Sequence, residues 1–245
     1  MLQVTTSWDD GDALDVKLAL LLNLYGLKGT FYVTKAYRPH RLSENAIRTI
    51  AQTHEIGAHT LTHPDLRKLS PEQQREEIVG GKRWLEEVLG KEIPTFCYPS
   101  GRFDDVSVQL VREAGFVGAR TTEGGRIDQA EDSYRIPTTL QVYPFPLRKV
   151  SAIRYAWRYL LQPLWERGPM LCRLGVNVLT MHSWQATARA TFDIALARGE
   201  VFHLWGHSWE IEQYGMWEEL ERFLAYCKNK GGYRPVVNGD LIKKS

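Results

Sequence analysis

The chain has 245 residues, of which 43% are hydrophobic and 24% charged, with 20 glycines and 11 prolines. This composition is typical of a folded globular protein and excludes a disordered, collagen-like or low-complexity chain. The formal net charge is only +2, so nothing in the overall charge indicates a nucleic acid partner. Three widely spaced cysteines argue against both a disulfide framework and a cysteine-based zinc site.

The start of the chain and its hydropathy bear on where the protein resides. Four aspartates fall within the first 15 residues, which argues against a secretory leader. The longest apolar run, Leu18 to Leu22, is far shorter than the roughly 20 residues of a membrane-spanning helix. We therefore expect a cytoplasmic protein in a reducing compartment.

Strand patterns alternate with helical patterns along the first half of the chain. Strands are predicted at Leu2 to Trp8, Gly29 to Thr34, Glu55 to His59, Thr95 to Tyr98 and Phe116 to Ala119. The predicted helices between them begin after Asp12, at Ser43, at Ser70 and at Asp105. The clearest start is at Ser70, because a capping box is combined there with proline at the first helical position.

The second half of the chain has a looser pattern. Five prolines lie between residues 137 and 169. Residues 148–198 carry eight basic and two acidic side chains, which we interpret as a basic helical insertion. The remaining predicted elements are a helix over 186–197, a strand from Val201 to His207, a helix from Met216 to Lys228 and a strand from Pro235 to Asn238.

This alternation predicts an α/β fold with parallel strands inside and helices outside. At this length we expect one domain over residues 1–245, built as a distorted (β/α) barrel of about seven parallel strands. The active sites of such barrels lie at the carboxyl ends of the strands. The polar clusters that follow the predicted strands are therefore the candidate functional residues.

The first cluster is the adjacent pair Asp9 and Asp10, followed by Gly11. Two carboxylates so close are costly unless a cation or a shared proton relieves their repulsion. A metal ion would bind one carboxylate and leave the other free to act as a base. The alternative is an Asx turn that caps the following helix.

The second cluster is His59 and His63, with Pro64 directly after it. Neutral imidazole is a common zinc ligand, and two histidines four residues apart can bind one ion from a tight turn. Pro64 disfavours a helix at His63, which places the pair on a turn. Two unrelated surface histidines are the alternative.

Two further clusters follow later strands. The turn Tyr98-Pro99-Ser100-Gly101 could direct backbone N–H groups at a substrate oxygen. In the strand that ends at His207, alternation places His203, Trp205 and His207 on one face. His207 would then lie at the rim, and His203 deeper, as a hydrogen-bonded core residue.

In order and approximate spacing, these four clusters resemble the polysaccharide deacetylase family, carbohydrate esterase family four, with its chitooligosaccharide deacetylase homology domain. The flanking sequences GTFYV at 29–33 and HEIGAHTLTH at 54–63 are similar to that family as well. The resemblance covers most of the chain and is strongest over residues 1–120 and 199–210.

The resemblance implies a metal-dependent hydrolase that removes an N-acetyl or related N-acyl group from an amino sugar. It implies that Asp10, His59 and His63 bind one divalent metal ion, Zn²⁺ first and Co²⁺, Ni²⁺ or Mn²⁺ as alternatives. Asp9 would be the general base and His207 the general acid.

The chain departs from the family pattern at the third cluster. The family has an arginine there that orients the base, whereas this chain has Cys97. Arg102 or Arg120 would have to replace that guanidinium. The partner of His207 is not identifiable from the sequence. Trp205 and Trp209 flank the expected centre and could stack on a sugar ring, as could Trp8, although packing is the commoner role of such residues.

Because no export signal is apparent, we expect an N-acylated sugar of a cytoplasmic glycan pathway, nucleotide-linked, lipid-linked or an oligosaccharide. Residues 148–160 mix basic and aromatic side chains at helical spacing, as a helix on an anionic membrane would, although a solvated insertion helix explains them too. Two other functions stay open. One is a metal amidohydrolase acting on a non-sugar amide or cyclic imide, and the other is a catalytically silent glycan-binding barrel.

Overall fold

A single sheet of parallel strands organises the protein. The computed structural model describes residues 1–146 and 158–242, with side chains in the second range from residue 161 onward. The strands are β1 (Leu2–Asp10), β2 (Gly29–Val33), β3 (Glu55–Ala58), β4 (Thr95–Cys97), β5 (Gly118–Arg120), β6 (Leu140–Gln141), β7 (Val201–Gly206) and β8 (Tyr233–Pro235). They follow the order β5-β4-β3-β2-β1-β7-β6, and β8 pairs with β1.

Eight helices surround this sheet in the described part of the chain. They are α1 (Asp15–Leu24), α2 (Glu44–Ile50), α3 (Pro71–Leu89), α4 (Asp105–Glu113), α5 (Arg158–Leu174), α6 (Trp184–Arg198), α7 (Ser208–Gln213) and α8 (Trp217–Lys230). The predicted fold, a distorted barrel of about seven parallel strands with helices outside, is confirmed. Among the described residues, none of the helices is both long and apolar enough to cross a membrane.

The sheet curls into a half-barrel that strand pairing does not close. Its path ends at β5 on one side and at β6 on the other. An isolated parallel bridge between Arg120 and Ile136 connects β5 to the segment that leads to β6. The N–H of Thr121 also donates to the carbonyl of Ile136, over 2.9 Å. The chain after β5 therefore lies against the open side of the barrel.

Strand β1 lies at the centre of the sheet and is buried along almost all of its length. It pairs with β2, β7 and β8, and all but one of its residues are buried. Large apolar side chains on one face of the sheet, such as Trp8, Phe31 and Phe202, are almost completely inaccessible. A central, fully packed strand fixes the position of the residues at its carboxyl end, Asp9 and Asp10.

The structure corrects several sequence-based boundaries. Strand β8 ends at Pro235, whereas the predicted strand begins at that residue. Strand β6 was not predicted, because two residues are too few to show alternation. Helix α5 lies within the predicted helical insertion 148–198, but its bounds were not predicted, because Pro163 and Pro169 lie inside it and interior prolines normally end helices. Apart from the backbone of 158–160, the predicted amphipathic segment 148–160 lies outside the described residues.

Glu55 anchors the C-terminal turn beneath the barrel, at the amino ends of the strands. Its carboxylate accepts hydrogen bonds from Thr30 and Thr95, each over 3.0 Å, and from the N–H of Gly239 over 3.2 Å. Burial raises the pKa of Glu55 to about 7, even though these hydrogen bonds favour the charged form. The folded protein therefore binds the Glu55 proton more tightly than the unfolded chain does.

This tighter binding predicts a pH-dependent contribution to stability. Stability from Glu55 is complete below its unfolded pKa near 4.5 and is lost as the pH rises through about 7. In urea unfolding from pH 5 to pH 8, wild type should lose on the order of 3 kcal/mol relative to Glu55→Gln. The control is Glu44→Gln, which removes an exposed carboxylate and should stay within about 0.5 kcal/mol of wild type. A pH-independent difference for Glu55→Gln would contradict the assignment.

Candidate active site

A cleft of about 400 Å³ opens at the carboxyl ends of the strands. It brings together residues that are far apart in the sequence, from the ends of β1, β3 and β7 and from the loops that follow β2, β4 and β5. Its lining includes Asp9, Asp10, Tyr37, His59, His63, Ser100, Thr122, Gln141, Trp205, His207 and Trp209. Five of these are the residues predicted from the sequence to bind a metal ion or to act as acid and base, namely Asp9, Asp10, His59, His63 and His207.

Asp10, His59 and His63 converge on one point in this cleft. The Nε2 atoms of His59 and His63 lie 3.8 Å and 3.5 Å from Oδ1 of Asp10. The other carboxylate oxygen of Asp10 accepts a hydrogen bond from Nε1 of Trp209 over 2.8 Å. Oδ1 is buried and has no hydrogen-bond partner among the described residues. Buried oxygens normally have a partner, so an unpartnered one facing two imidazole nitrogens fits a metal ion.

The protonation of the two histidines suits metal binding. Nδ1 of His59 lies 2.7 Å from the carbonyl oxygen of Cys97, which can only accept, so Nδ1 donates and Nε2 keeps its lone pair. Burial lowers the pKa of His59 to about 4, despite the nearby aspartates, and burial lowers the pKa of His63 as well. Both imidazoles are therefore neutral at pH 7, the form that coordinates metals.

The backbone at this site is held in an unusual conformation. In the described part of the chain, four non-glycine residues have left-handed φ angles: Asp10 at 82°, Thr60 at 66°, His63 at 61° and Ser100 at 54°. Three of them line the cleft, and Thr60 adjoins His59. Such conformations are disfavoured for L-residues and persist only where the surrounding structure imposes them. Their concentration here supports a functional role for this end of the barrel.

Arg120 provides the cation that Asp9 requires. Its guanidinium donates a hydrogen bond to Oδ1 of Asp9, and both side chains are buried. Arg120 ends β5 and pairs in register with Cys97 at the end of β4, the position at which the arginine was expected. Burial alone would raise the pKa of Asp9, but attraction to Arg120 and to nearby histidines outweighs it and lowers the pKa. Asp9 is therefore ionised.

Aromatic rings complete the surroundings of the buried guanidinium. Nε and Nη1 of Arg120 have no hydrogen-bond partner among the described side chains and backbone groups. The rings of Tyr32 and Trp205 lie 5.3 Å and 4.9 Å from its central carbon. Cation–π attraction to desolvated rings offsets part of the cost of burying the charge. Trp205 therefore supports Arg120 on one side and lines the cleft on the other.

Glu210 is the partner of His207, and sequence reasoning did not identify it. Its Oε2 lies 3.2 Å from Nδ1 of His207, three residues earlier in the chain. Burial lowers the pKa of His207, but the hydrogen bond to Glu210 and the nearby Asp10 and Asp9 carboxylates outweigh burial and raise it. The signal available in the sequence was an acid three residues after a histidine at a helix start, which is too common to be specific.

The structure divides the expected substrate-contacting residues into two groups. Ser100, Trp205 and Trp209 line the cleft, whereas Tyr98, Pro99, Gly101 and Arg102 are not part of its lining. The Tyr98 hydroxyl donates to the carbonyl of Tyr134, and Arg102 pairs with Asp65 on the surface.

Two other residues considered from the sequence have roles in the core. Trp8 is completely buried, and its Nε1 donates to Thr6, so it offers no surface to a sugar. His203 is buried as expected, 2.8 Å from the Ser7 hydroxyl and 3.1 Å from the Pro137 carbonyl.

Comparison with known proteins matches the chain to one family. The sequence model of the polysaccharide deacetylase family covers residues 3–119. A peptidoglycan-N-acetylglucosamine deacetylase of Bacillus cereus is 28% identical over 115 residues, which are 46% of this chain and 53% of that protein. The chain spans about half the length of the curated relatives it matches.

Two crystal structures show how widely this fold is shared. A Mycobacterium smegmatis protein assigned to the polysaccharide deacetylases superposes with a TM-score of 0.69 at 18% identity, covering 98% of this chain and 88% of that one. A Bacillus anthracis pseudoenzyme of the same carbohydrate esterase family gives 0.57 at 16% identity, covering 98% and 65%. The shared fold therefore does not by itself establish activity.

The Asp9–Arg120 ion pair predicts that Arg120 contributes to the free energy of unfolding and that Arg102 does not. Arg120→Met leaves a buried carboxylate without its cation and should cost about 3–5 kcal/mol of unfolding free energy. The double variant Asp9→Asn/Arg120→Met should recover much of that loss, because neither charge remains. Arg102→Met removes the other candidate arginine, which is exposed, and should stay within about 0.5 kcal/mol of wild type. Equal effects of the two arginine variants in urea unfolding would contradict this assignment.

Proposed function

Since residues 3–119 make this chain a member of the polysaccharide deacetylase family, we propose that it is a metal-dependent hydrolase that removes an N-acetyl group from an amino sugar of a glycan. One observation carries the proposal. A buried set of one carboxylate and two neutral imidazoles lies in the same cleft as an ionised aspartate and a histidine with a raised pKa. These are the groups that metal-assisted hydrolysis of an amide requires.

Asp10, His59 and His63 would hold the metal ion. The donor set of two nitrogens and one oxygen is typical of catalytic zinc, and we propose Zn²⁺ before Co²⁺, Ni²⁺ or Mn²⁺. When bound, such an ion lowers the pKa of a coordinated water and polarises the substrate carbonyl. Trp209 and the carbonyl of Cys97 would orient the ligands, because they bind the remaining polar atoms of Asp10 and His59.

Asp9 would accept the proton of the attacking water. It is adjacent to the ligand Asp10 and lines the cleft. Arg120 donates to Oδ1, and Oδ2, which lies 3.9 Å from the Cys97 sulfur, is the oxygen that would accept the water proton. The same pair keeps Asp9 ionised, which a general base must be before it can act.

His207 would donate a proton to the departing amine. It lines the cleft with about one-fifth of its side chain exposed, so a substrate can reach it. Glu210 engages Nδ1, which leaves Nε2 as the nitrogen that would face the substrate. The raised pKa of His207 favours the charged imidazole, which is the form that can act as the acid.

Ser100 and the cleft aromatics would bind the rest of the substrate. The left-handed backbone at Ser100 lies in the turn after β4, and its N–H would donate to the developing oxyanion. Tyr37 stacks on His63 with 4.1 Å between ring centroids, and its outer face remains partly exposed. Together with Trp205 and Trp209, it offers flat apolar surfaces of the kind that pack against sugar rings.

The relatives and the cleft together support an N-acetyl sugar as the proposed substrate. The curated relative named above acts on N-acetylglucosamine of peptidoglycan. The open cleft leaves room for an oligosaccharide, and a nucleotide-linked or lipid-linked N-acetyl sugar would present the same amide. Acetate release from chitooligosaccharides by the metal-loaded protein tests the proposal. Ring opening of cyclic imides without acetate release from sugars would favour the amidohydrolase function, and no turnover by a metal-loaded protein would favour a silent binding barrel.

The adjacent aspartates should have separable roles. Asp9→Asn should retain one metal ion per chain and lose about 10²–10⁴-fold in kcat, because an amide cannot accept the water proton. Asp10→Asn and His63→Ala should lose the metal itself, as measured by elemental analysis of the purified protein. His54→Gln alters a buried histidine outside the cleft and should retain the metal. If Asp9→Asn and Asp10→Asn bind metal equally well, this division is wrong.

Removing Glu210 should change the pH dependence of turnover. The hydrogen bond to Glu210 raises the pKa of His207, and the acid is lost when the pH rises through that pKa. Glu210→Gln should therefore move the alkaline limb of the kcat profile to lower pH. Glu212→Gln, two residues further on and exposed, should leave the profile unchanged. An alkaline limb that stays in place in Glu210→Gln would contradict the pairing.

A further inference from the structure

Helix α5 carries an exposed apolar stripe, and we propose that this stripe docks the protein on an anionic lipid surface. The inference goes beyond the proposed deacetylation and does not depend on it. In the described part of α5, Leu161 is 67% exposed and Trp165 is 87% exposed. In the turn that follows the helix, Val178 and Leu179 are 65% and 83% exposed.

The exposed residues of α5 lie along one side of the helix. Leu161 and Trp165 are four residues apart, and the exposed Pro169 and Cys172 continue the same row toward the C-terminal end. Leaving a tryptophan almost fully exposed next to a leucine is costly in water. A continuous apolar row, in contrast with isolated exposed side chains, marks an interaction surface.

The opposite side of α5 already has its partners within the fold. Leu171 and Leu174 are buried in the core, and Met170 packs closely against Gly125. Arg167 donates to the side chain of Gln141 over 2.7 Å, and its guanidinium lies 4.3 Å from the ring centre of Tyr143. The helix is therefore held in place by its inner face, and the stripe faces solvent.

The charge of α5 favours a lipid surface of negative charge. The sequence of α5 has three arginines against one acid, Glu166. Of these arginines, Arg173 is exposed, whereas Arg167 faces the fold. Exposed basic residues near an anionic bilayer are attracted to it. Tryptophan is also the side chain that settles best at the boundary between headgroups and acyl chains. Apolar stripe and positive charge thus occur on the same element.

A second exposed apolar surface of the protein lacks this charge and serves as a reference. Leu20 and Leu24 of α1 are 65% and 62% exposed, in a groove shared with Trp217. The charged residues that line this groove, Lys17 and Glu221, have opposite signs. An anionic bilayer should therefore prefer α5 to α1.

The position of α5 connects docking to the cleft. Gln141, which accepts the hydrogen bond from Arg167, lines the cleft itself. A bilayer in contact with the outer face of α5 would therefore lie close to one wall of the cleft. That arrangement suits a glycan carried on a lipid, because the sugar would be presented beside the catalytic residues.

Co-sedimentation of the full chain with vesicles tests the proposal. The protein should bind vesicles of equal parts phosphatidylglycerol and phosphatidylcholine, bind pure phosphatidylcholine vesicles much less, and be released by high salt. Leu161→Ser/Trp165→Ser should weaken binding at least about ten-fold, or ~1.4 kcal/mol. The matched variant Leu20→Ser/Leu24→Ser should bind as wild type does. Thermal unfolding of both variants should match wild type, because all four side chains are exposed.

Two outcomes would overturn the proposal. One is equal vesicle binding by wild type and Leu161→Ser/Trp165→Ser. The other is a wild-type dimer in sedimentation velocity that this variant abolishes, without vesicle binding by wild type, which would make the stripe an interface between two copies. Acetate release from a soluble chitooligosaccharide should be the same in wild type and variant. Failure of docking is therefore distinguishable from failure of the proposed reaction.

Discussion

Two adjacent buried carboxylates at the end of the central strand are the constraint on which the site depends. Asp9 and Asp10 follow one another at the end of β1, where both are almost inaccessible to solvent. Neither can remain ionised there without positive charge or hydrogen-bond donors close by. Arg120 supplies the charge for Asp9, while Trp209 satisfies one oxygen of Asp10 and leaves the other facing two imidazoles. Asp9 and Asp10 thus have different partners, and this difference would separate the proposed base from the proposed metal ligand.

Arg120 shows that the guanidinium that pairs with Asp9 can come from a different strand. The family pattern has its guanidinium at the position that Cys97 occupies in this chain, and Arg120 is the register partner of Cys97 on β5. Neighbouring strands are about 5 Å apart, a distance that an arginine side chain spans easily. The ion pair is therefore preserved although the motif is not.

The sequence predicted most of the residues that line the cleft, because the ends of buried strands are visible as patterns. Asp9, Asp10, His59, His63 and His207 follow strands whose alternation or apolar runs are clear, and the barrel then brings those ends together. Contacts that depend on register are not visible in one sequence, so the choice between the two candidate arginines required the structure. Assignment of the chain to one domain and to the cytoplasm stays a prediction.

The left-handed φ angles at the cleft determine which glycine substitutions would stabilise the protein. Each of the four residues in this conformation costs about 1–2 kcal/mol, and glycine would relieve that cost at any of them. Glycine would also remove the side chain that Asp10 or His63 contributes to the cleft and would loosen the turn at Ser100. Selection for thermal stability alone would therefore act first on these positions, and it would trade activity for a higher melting temperature.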